Sequence, residues 1–127
     1  NQNPPPIGVN LVFFDAEDLG SSGVNESYCH GSRYFAKNLP FSSPNEAINL
    51  DMVGDKELTL PIERYSYQYH PELVRDLWDR AKELGLDAFI RELDYAIYDD
   101  HVPLNKIAGI PSIDIIDFDY PNDELVQ

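Results

Sequence analysis

The chain has 127 residues, of which 43% are apolar and 12% aromatic, and its 23 acidic and 9 basic residues give a net charge of −14. These values are typical of one globular domain or part of one, and no apolar run approaches the ~20 residues that a membrane-spanning helix needs. The negative charge argues against nucleic acid and anionic membranes as partners, and it favours cationic ligands such as a metal ion or a peptide amino terminus.

The first predicted element is a strand over residues 7–14, which runs directly into the carboxylates of Asp15, Glu17 and Asp18. A short run rich in Val, Leu and Phe is typical of a strand buried on both faces of a parallel or mixed sheet. Ligands of open sheets bind beyond the carboxyl ends of the strands, so these acids are candidates for a site, with a solvated turn as the alternative. Residues 1–6, which contain three consecutive prolines, are interpreted as a linker or a cut end.

Helices and strands alternate along the rest of the chain. The pattern predicts a helix over 31–38 with Ser32 near its cap, a strand over 46–53 and a helix over 71–84 between Pro71 and Gly85. A strand over 87–92, a short helix from 99 to about 108 and a strand over 111–116 follow. This alternation is typical of an α/β fold. Cys29 is the single cysteine, which excludes an intrachain disulfide and a thiolate zinc cluster and favours a buried structural role.

Acidic residues also lie at the ends of two later elements. Asp51 comes near the end of the strand over 46–53, and Asp99, Asp100 and His101 lie where a loop meets a helix. Without thiolates, carboxylate and imidazole are the ligand types that zinc accepts, so these residues are candidates for metal binding or acid–base chemistry. The structural alternatives are a helix cap for the two later aspartates, a turn residue for Asp51 and a buried structural role for His101.

Four runs, in this order, carry a family resemblance: Val-Phe-Phe-Asp-Ala-Glu-Asp-Leu-Gly (12–20), Gly-Ser-Arg-Tyr-Phe-Ala (31–36), Asn-Leu-Asp-Met-Val-Gly (49–54) and Asp-Asp-His-Val-Pro-Leu with Ala-Gly-Ile-Pro (99–111). Over roughly residues 8–121 the chain resembles the zinc exopeptidase and glutaminyl cyclase superfamily, most closely bacterial glutaminyl-peptide cyclotransferases of the animal type. The resemblance implies a mixed, mostly parallel sheet flanked by helices, with metal at the strand ends. Residues 1–127 would then be a single partial catalytic domain.

The resemblance also implies roles for individual residues. Glu17 would be the catalytic acid–base, and Asp18 a zinc ligand that is shorter than the Glu usual in animal enzymes. Asp51 would join Asp99 in a hydrogen-bond network with the catalytic Glu of a one-zinc cyclase, or bind the second metal of a two-zinc aminopeptidase. Aminopeptidases more often carry Ser or Thr at the position of Asp99, which favours a cyclase. His101 would lie near the substrate pocket, although spacing alone suggests a zinc ligand.

The implied function is zinc-dependent conversion of an amino-terminal glutamine of a peptide to pyroglutamate, with release of ammonia. A zinc aminopeptidase and a non-catalytic family member are the alternatives. The family's remaining metal ligands, an upstream Asp or His and a downstream His followed by Thr, have no counterpart here. We therefore expect an internal fragment that is metal-poor and inactive in isolation, and a periplasmic or cell-surface location for the intact protein.

Overall fold

Parallel strands and helices build the structure, a computed structural model that describes residues 6–119. Its strands are β1 (Ala47–Asp51), β2 (Leu60–Ile62), β3 (Phe89–Leu93) and β4 (Ser112–Ile116). β1 pairs with β4 and β2 pairs with β3, both in parallel, and β2 also lies beside β4. The predicted α/β fold with parallel strands is therefore confirmed.

One helix precedes the strands in sequence, two lie between β2 and β3, and one lies between β3 and β4. They are α1 (His30–Lys37), α2 (Arg64–Tyr69), α3 (Pro71–Glu83) and α4 (His101–Pro103), which continues as a π-helical turn over Leu104–Ala108. A single 3₁₀ turn, Asn25–Ser27, precedes α1. Within residues 6–119, none of the helices has both the length and the apolar character that crossing a membrane requires.

The core forms where α3 packs on the strands. Val74, Trp78 and Ala81 are buried at helical spacing on one face of α3, and Val74 and Trp78 belong to a cluster that includes Leu60 and Ile113. The indole Nε1 of Trp78 donates a hydrogen bond to a β3 carbonyl at 2.9 Å, which satisfies the polar atom of a buried ring. The predicted helix over 71–84 is thus confirmed, and its apolar stripe is core.

β4 is buried at all five positions, as expected for a parallel strand that is covered on both faces. Most of its side chains are apolar, but Asp114 lies in the middle of the strand with no exposed surface. A carboxyl group in such a position is costly unless hydrogen bonds or a proton compensate it. Asp114 is therefore a polar group within the core, and it connects the core to the candidate active site.

The predicted strand over residues 7–14 is wrong. These residues form no regular secondary structure and pair with none of the described strands, and Leu11 and Phe13 are 82% and 92% exposed. An apolar run becomes a strand only where a neighbour takes its backbone hydrogen bonds, and no described strand lies alongside it. The sequence also failed to predict β2 and α2. The predicted linker or cut end cannot be compared, because its residues 1–5 lie outside the described residues.

Candidate active site

A cavity of about 260 Å³ brings together Glu17, Asp51 and Asp99, three of the predicted site residues. Glu17 belongs to the loop before α1, Asp51 is the last residue of β1, and Asp99 lies just before α4. Three separate parts of the chain therefore supply the acids. The positions of Asp51 and Asp99 at element ends were predicted, whereas Glu17 follows no described strand. The other lining residues are Val12, Phe13, Phe14, Asn49, Leu50 and Asp100.

The start of α1 holds the acidic loop in place. The backbone N–H of Cys29 donates to the carbonyl of Glu17 at 2.9 Å, and the N–H of Gly31 donates to that of Asp15 at 3.2 Å. A Cβ at position 31 would lie 2.5 Å from the Asp15 carbonyl oxygen, so only glycine permits this approach. Backbone contacts thereby hold the acidic segment from Asp15 to Glu17 against the start of α1.

Residues other than glycine adopt left-handed backbone at three places around the cavity. The φ angles are +54° at Ala16, +57° at Cys29 and +51° at Met52. Ala16 precedes Glu17, Met52 follows Asp51, and Cys29 hydrogen-bonds the Glu17 carbonyl. Such conformations cost of order 1–3 kcal/mol each and are concentrated at functional sites, so the cavity carboxylates are held by strained backbone.

Glu17 is half-buried and lies among other acids. Burial, then the hydrogen bond and negative charge of Asp18, then the charges of Asp99 and Asp100 raise the pKa of Glu17 to about 8. A carboxyl group with this pKa exchanges a proton near neutral pH, as a general acid–base requires. Asp18 itself is exposed beside the cavity, and its charge acts on both Glu17 and Asp51.

Asp99 and Asp100 are both buried just before α4. Burial raises the pKa of Asp99 to about 6, and the charges of Asp51 and Asp100 add to this, although the Asp100 backbone N–H donates to Asp99 at 2.5 Å. Burial also raises the pKa of Asp51 and of Asp100. Asp51, Asp99 and Asp100 therefore each hold a proton to a higher pH than a carboxyl group in water does.

Asn49 joins the cavity to the interior of the sheet. Its side-chain Nδ2 donates to Asp99 at 2.7 Å and to Asp114 at 3.0 Å. Asn49 and Asp114 lie opposite each other in the register of β1 and β4, which brings their side chains together. Burial and the charge of Asp99 raise the pKa of Asp114 well above its usual range.

His101 lies between two buried carboxyl groups and has no exposed surface. Its Nε2 lies 3.2 Å from Glu63 and its Nδ1 3.8 Å from Asp114. Neither nitrogen makes a well-aligned hydrogen bond within residues 6–119. Within the described part of the chain, the ring is not among the groups that line the cavity. Contact between His101 and substrate therefore stays a prediction.

Sequence patterns did not identify three further residues of the site, which are Glu63, Asn49 and Asp114. Asp114 had a signal, because an acid inside the apolar run 110–116 must be compensated when the strand is buried. Almost no sequence signal pointed to Glu63, because Glu is not among the residues favoured at a helix N-cap and α2 was not predicted. The contacts of Asn49 depend on the register between β1 and β4, which residue spacing in the sequence does not reveal.

The carboxylates of the cavity fit a bound cation. Several acids surround it, and its described lining contains no lysine or arginine to offset them. Ligand atoms of Glu17, Cys29 and Asp99 lie within 4.8 Å of one another, as do those of Asp99, His101 and Asp114. Carboxylate and imidazole are ligands that zinc accepts, so the donor types in these groups suit zinc. Asp18, the predicted zinc ligand, belongs to neither group and does not line the cavity among the described residues.

Comparisons with known proteins identify relatives over nearly the whole chain. The profile of Peptidase family M28 matches residues 1–123. Porphyromonas gingivalis glutaminyl cyclase is 43% identical with a TM-score of 0.83, over 97% of this chain and 44% of that chain. A leucine aminopeptidase precursor of Bacteroides thetaiotaomicron is 34% identical with a TM-score of 0.81, over 87% of this chain and 41% of that chain.

A Zn-dependent exopeptidase of Parabacteroides distasonis is 35% identical with a TM-score of 0.76, over 88% of this chain and 41% of that chain. The chain thus spans less than half the length of these relatives. No curated protein matches it. The relatives are enzymes of two kinds, cyclases and zinc exopeptidases, and the comparisons do not distinguish between the two for this chain.

Proposed function

This chain belongs to peptidase family M28, and from that premise we propose that its protein is a zinc-dependent glutaminyl-peptide cyclotransferase. The substrate is a peptide with amino-terminal glutamine, and the products are a pyroglutamyl peptide and ammonia. The observation that carries the proposal is the cavity that Glu17 shares with Asp51 and Asp99. The 43% identity to Porphyromonas gingivalis glutaminyl cyclase supports the choice of reaction.

Glu17 is proposed to move the proton. The α-amine of the substrate attacks the side-chain amide carbon of the same residue, and Glu17 accepts the proton that the amine loses. Glu17 then gives this proton to the departing ammonia. The pKa of about 8 suits both transfers, because a group that titrates near the working pH gains and loses a proton at similar cost.

Asp99 and Asp51 are proposed to sustain this behaviour of Glu17. The negative charge of Asp99 raises the pKa of Glu17, and the charge of Asp51 in turn raises that of Asp99. The same charges favour binding of the positively charged amino terminus of a peptide in the cavity. Asp18 would hold zinc, which when bound supplies Lewis-acid polarisation of a carbonyl group.

A zinc aminopeptidase is the second candidate. Similarity to a leucine aminopeptidase precursor favours it, and Asp51 lies in the same cavity, where it would hold a second zinc ion. Glu17 would then act as general base toward water rather than toward the substrate amine. A non-catalytic member that only binds partners is the third candidate, and it predicts no turnover of either substrate class.

The intact protein separates these candidates. We expect glutaminyl peptides to be converted to pyroglutamyl peptides with release of ammonia, detected by mass spectrometry and an ammonia assay, at one zinc ion per chain. Hydrolysis of leucyl peptides at two zinc ions per chain would replace the proposal by the aminopeptidase. A metal-free protein without turnover would indicate the non-catalytic member. Cell fractionation tests the proposed periplasmic or cell-surface location.

A further inference from the structure

A buried polar chain runs from the start of α2 to the cavity, and the proposed reaction does not account for it. Its members are Glu63, His101, Asp114, Asn49 and Asp99, which four different parts of the fold supply. The first three have no exposed surface, and Asp99 is 2% exposed. Buried polar groups are costly unless they form hydrogen bonds or ion pairs with one another. A chain of five such residues therefore needs an explanation.

Counted along the contacts of this polar chain, Glu63 is the member farthest from the cavity. It caps α2, where Oε1 accepts from the N–H of Tyr65 at 2.8 Å and Oε2 accepts from the N–H of Ser66 at 2.6 Å. Oε1 also accepts from the N–H of Ile97 at 3.0 Å, and Oε2 from the Ser66 hydroxyl at 2.8 Å. Burial opposes its charge, but His101 and these N–H groups outweigh burial and lower the pKa of Glu63. Glu63 is therefore a fixed negative charge.

Glu63 reaches β4 by two routes. His101 lies between Glu63 and Asp114, at 3.2 Å and 3.8 Å. The Ser66 hydroxyl, which donates to Glu63, accepts a hydrogen bond from the backbone N–H of Asp114 at 2.8 Å. Both the backbone and the carboxyl group of Asp114 are thus tied to the cap of α2.

Asn49 carries the connection from Asp114 to the cavity. One amide nitrogen donates to both Asp114 and Asp99, at 3.0 Å and 2.7 Å. A displacement of Asp114 must therefore rotate or shift the Asn49 amide, and Asp99 loses its side-chain donor when that happens. Displacements of about 1 Å are enough to lower turnover by about 100-fold at sites that depend on orientation.

We infer that Glu63 is a positioning residue for Asp99, which it orients through His101, Asp114 and Asn49. The inference rests on the proposed function in one respect, that Asp99 takes part in turnover. Glu63 does not line the cavity among the described residues and is assigned no contact with substrate. Its role is to fix the orientation of a cavity carboxyl group from a helix cap.

The test compares Glu63→Gln with Asp117→Asn in the intact protein. Asp117 is a matched control because it is also a buried carboxylate at the end of a strand, and it accepts backbone hydrogen bonds from Thr59 and Asp119. Both variants lose a buried charge and both are expected to melt at a lower temperature. Only Glu63→Gln is expected to lower kcat, by about 10- to 100-fold with KM nearly unchanged.

A second measurement does not depend on turnover. The side-chain amide signals of Asn49 in a ¹⁵N NMR spectrum report its two carboxyl acceptors, and we expect them to shift in Glu63→Gln but not in Asp117→Asn. The double variant Glu63→Gln/His101→Gln is expected to lose no more kcat than the worse single variant, because both act through one chain.

Equal behaviour of Glu63→Gln and Asp117→Asn in kcat and in the Asn49 signals would overturn the inference and leave Glu63 as a structural cap. If the wild-type protein turns over neither glutaminyl nor leucyl peptides, the proposed function fails by itself. The Asn49 signals then decide whether Glu63 orients the cavity. If Glu63→Gln does not fold, Ser66→Ala, which removes the hydroxyl between Glu63 and Asp114, is measured in its place.

Discussion

Glu63 and Glu17 show opposite consequences of burial in one small fold. Glu63 is fully buried, yet its pKa is lowered, because His101 and backbone N–H groups stabilise the charged form. Glu17 is less buried, yet its pKa rises to about 8, because burial and neighbouring acids act on it together. The donors around a carboxyl group, more than its depth, decide whether it is a structural anion or a proton carrier.

The largest expected effect is on turnover when the proton carrier is replaced. In the intact protein, Glu17→Gln should lower kcat by about 10²- to 10⁴-fold, since an amide of the same shape cannot carry the proton. The melting temperature should stay the same or rise, because one of several repelling acids is removed. Steady-state kinetics and thermal denaturation check both parts. Unchanged turnover would remove Glu17 from the mechanism.

The next effect is on stability when the structural anion is removed. Glu63→Ala should lower the free energy of unfolding by about 3 kcal/mol or more, because α2 loses its cap and buried N–H groups lose their acceptor. Glu72→Ala, an exposed acid in the first turn of α3, is the control and should cost less than about 1 kcal/mol. Urea denaturation measures both. Equal losses would show that the contacts of Glu63 add little.

A smaller effect concerns pH in the metal-free protein. The pKa of Asp99 is about 6 when folded against an ordinary value of 3.8, so the folded state holds more protons between pH 4 and 6. Stability contributed by protonated Asp99 is therefore present below pH 4 and lost as pH rises to 6. Glu63 acts in the opposite direction, because its lowered pKa removes stability as pH falls below its ordinary value of 4.5.

Asp99→Asn should reduce the loss between pH 4 and 6, to which the raised pKa values of Asp51, Asp100 and Asp114 also contribute. It should raise the free energy of unfolding at pH 7 by about 1–3 kcal/mol. Chemical denaturation of wild type and variant at a series of pH values measures this. Asp87→Asn, at an exposed position, should leave the pH profile unchanged. A variant profile parallel to that of wild type would contradict the assigned burial cost of Asp99.

The smallest effect belongs to an acid that is neither buried nor crowded. Asp79 on α3 pairs with Arg91 on β3, and their side chains are 63% and 45% exposed. Asp79→Ala should lower the free energy of unfolding by less than about 1 kcal/mol, because water already solvates both charges. Denaturation in low and high salt checks this, with the difference expected to shrink in high salt.

Local patterns in the sequence predicted much of this fold. The helix over 71–84 was predictable because Pro71, the apolar stripe and Gly85 act within a few residues of one another. The strand over 111–116 was predictable from its three isoleucines, which follow the break at Gly109 and Pro111. The same reasoning failed for residues 7–14, because a strand also requires a neighbour, and an apolar run carries no information about one.

For the site, the sequence named Glu17, Asp51 and Asp99, and the structure brings all three to one cavity. It did not name Asn49 and Asp114, which meet only because β1 and β4 pair in one register. It placed His101 near substrate, whereas the described contacts of the ring are with Glu63 and Asp114. Residues whose roles depend on long-range packing were therefore the ones missed.

By itself the sequence determined α1, α3, α4, β1, β3 and β4 to within a few residues, the family of the chain and the candidate acids Glu17, Asp51 and Asp99. These follow from short-range patterns and from four matching runs. Only the tertiary structure decided which acids keep their charge, because a pKa depends on burial and on donors from distant parts of the chain. The link from the cap of α2 to the cavity is likewise a consequence of packing.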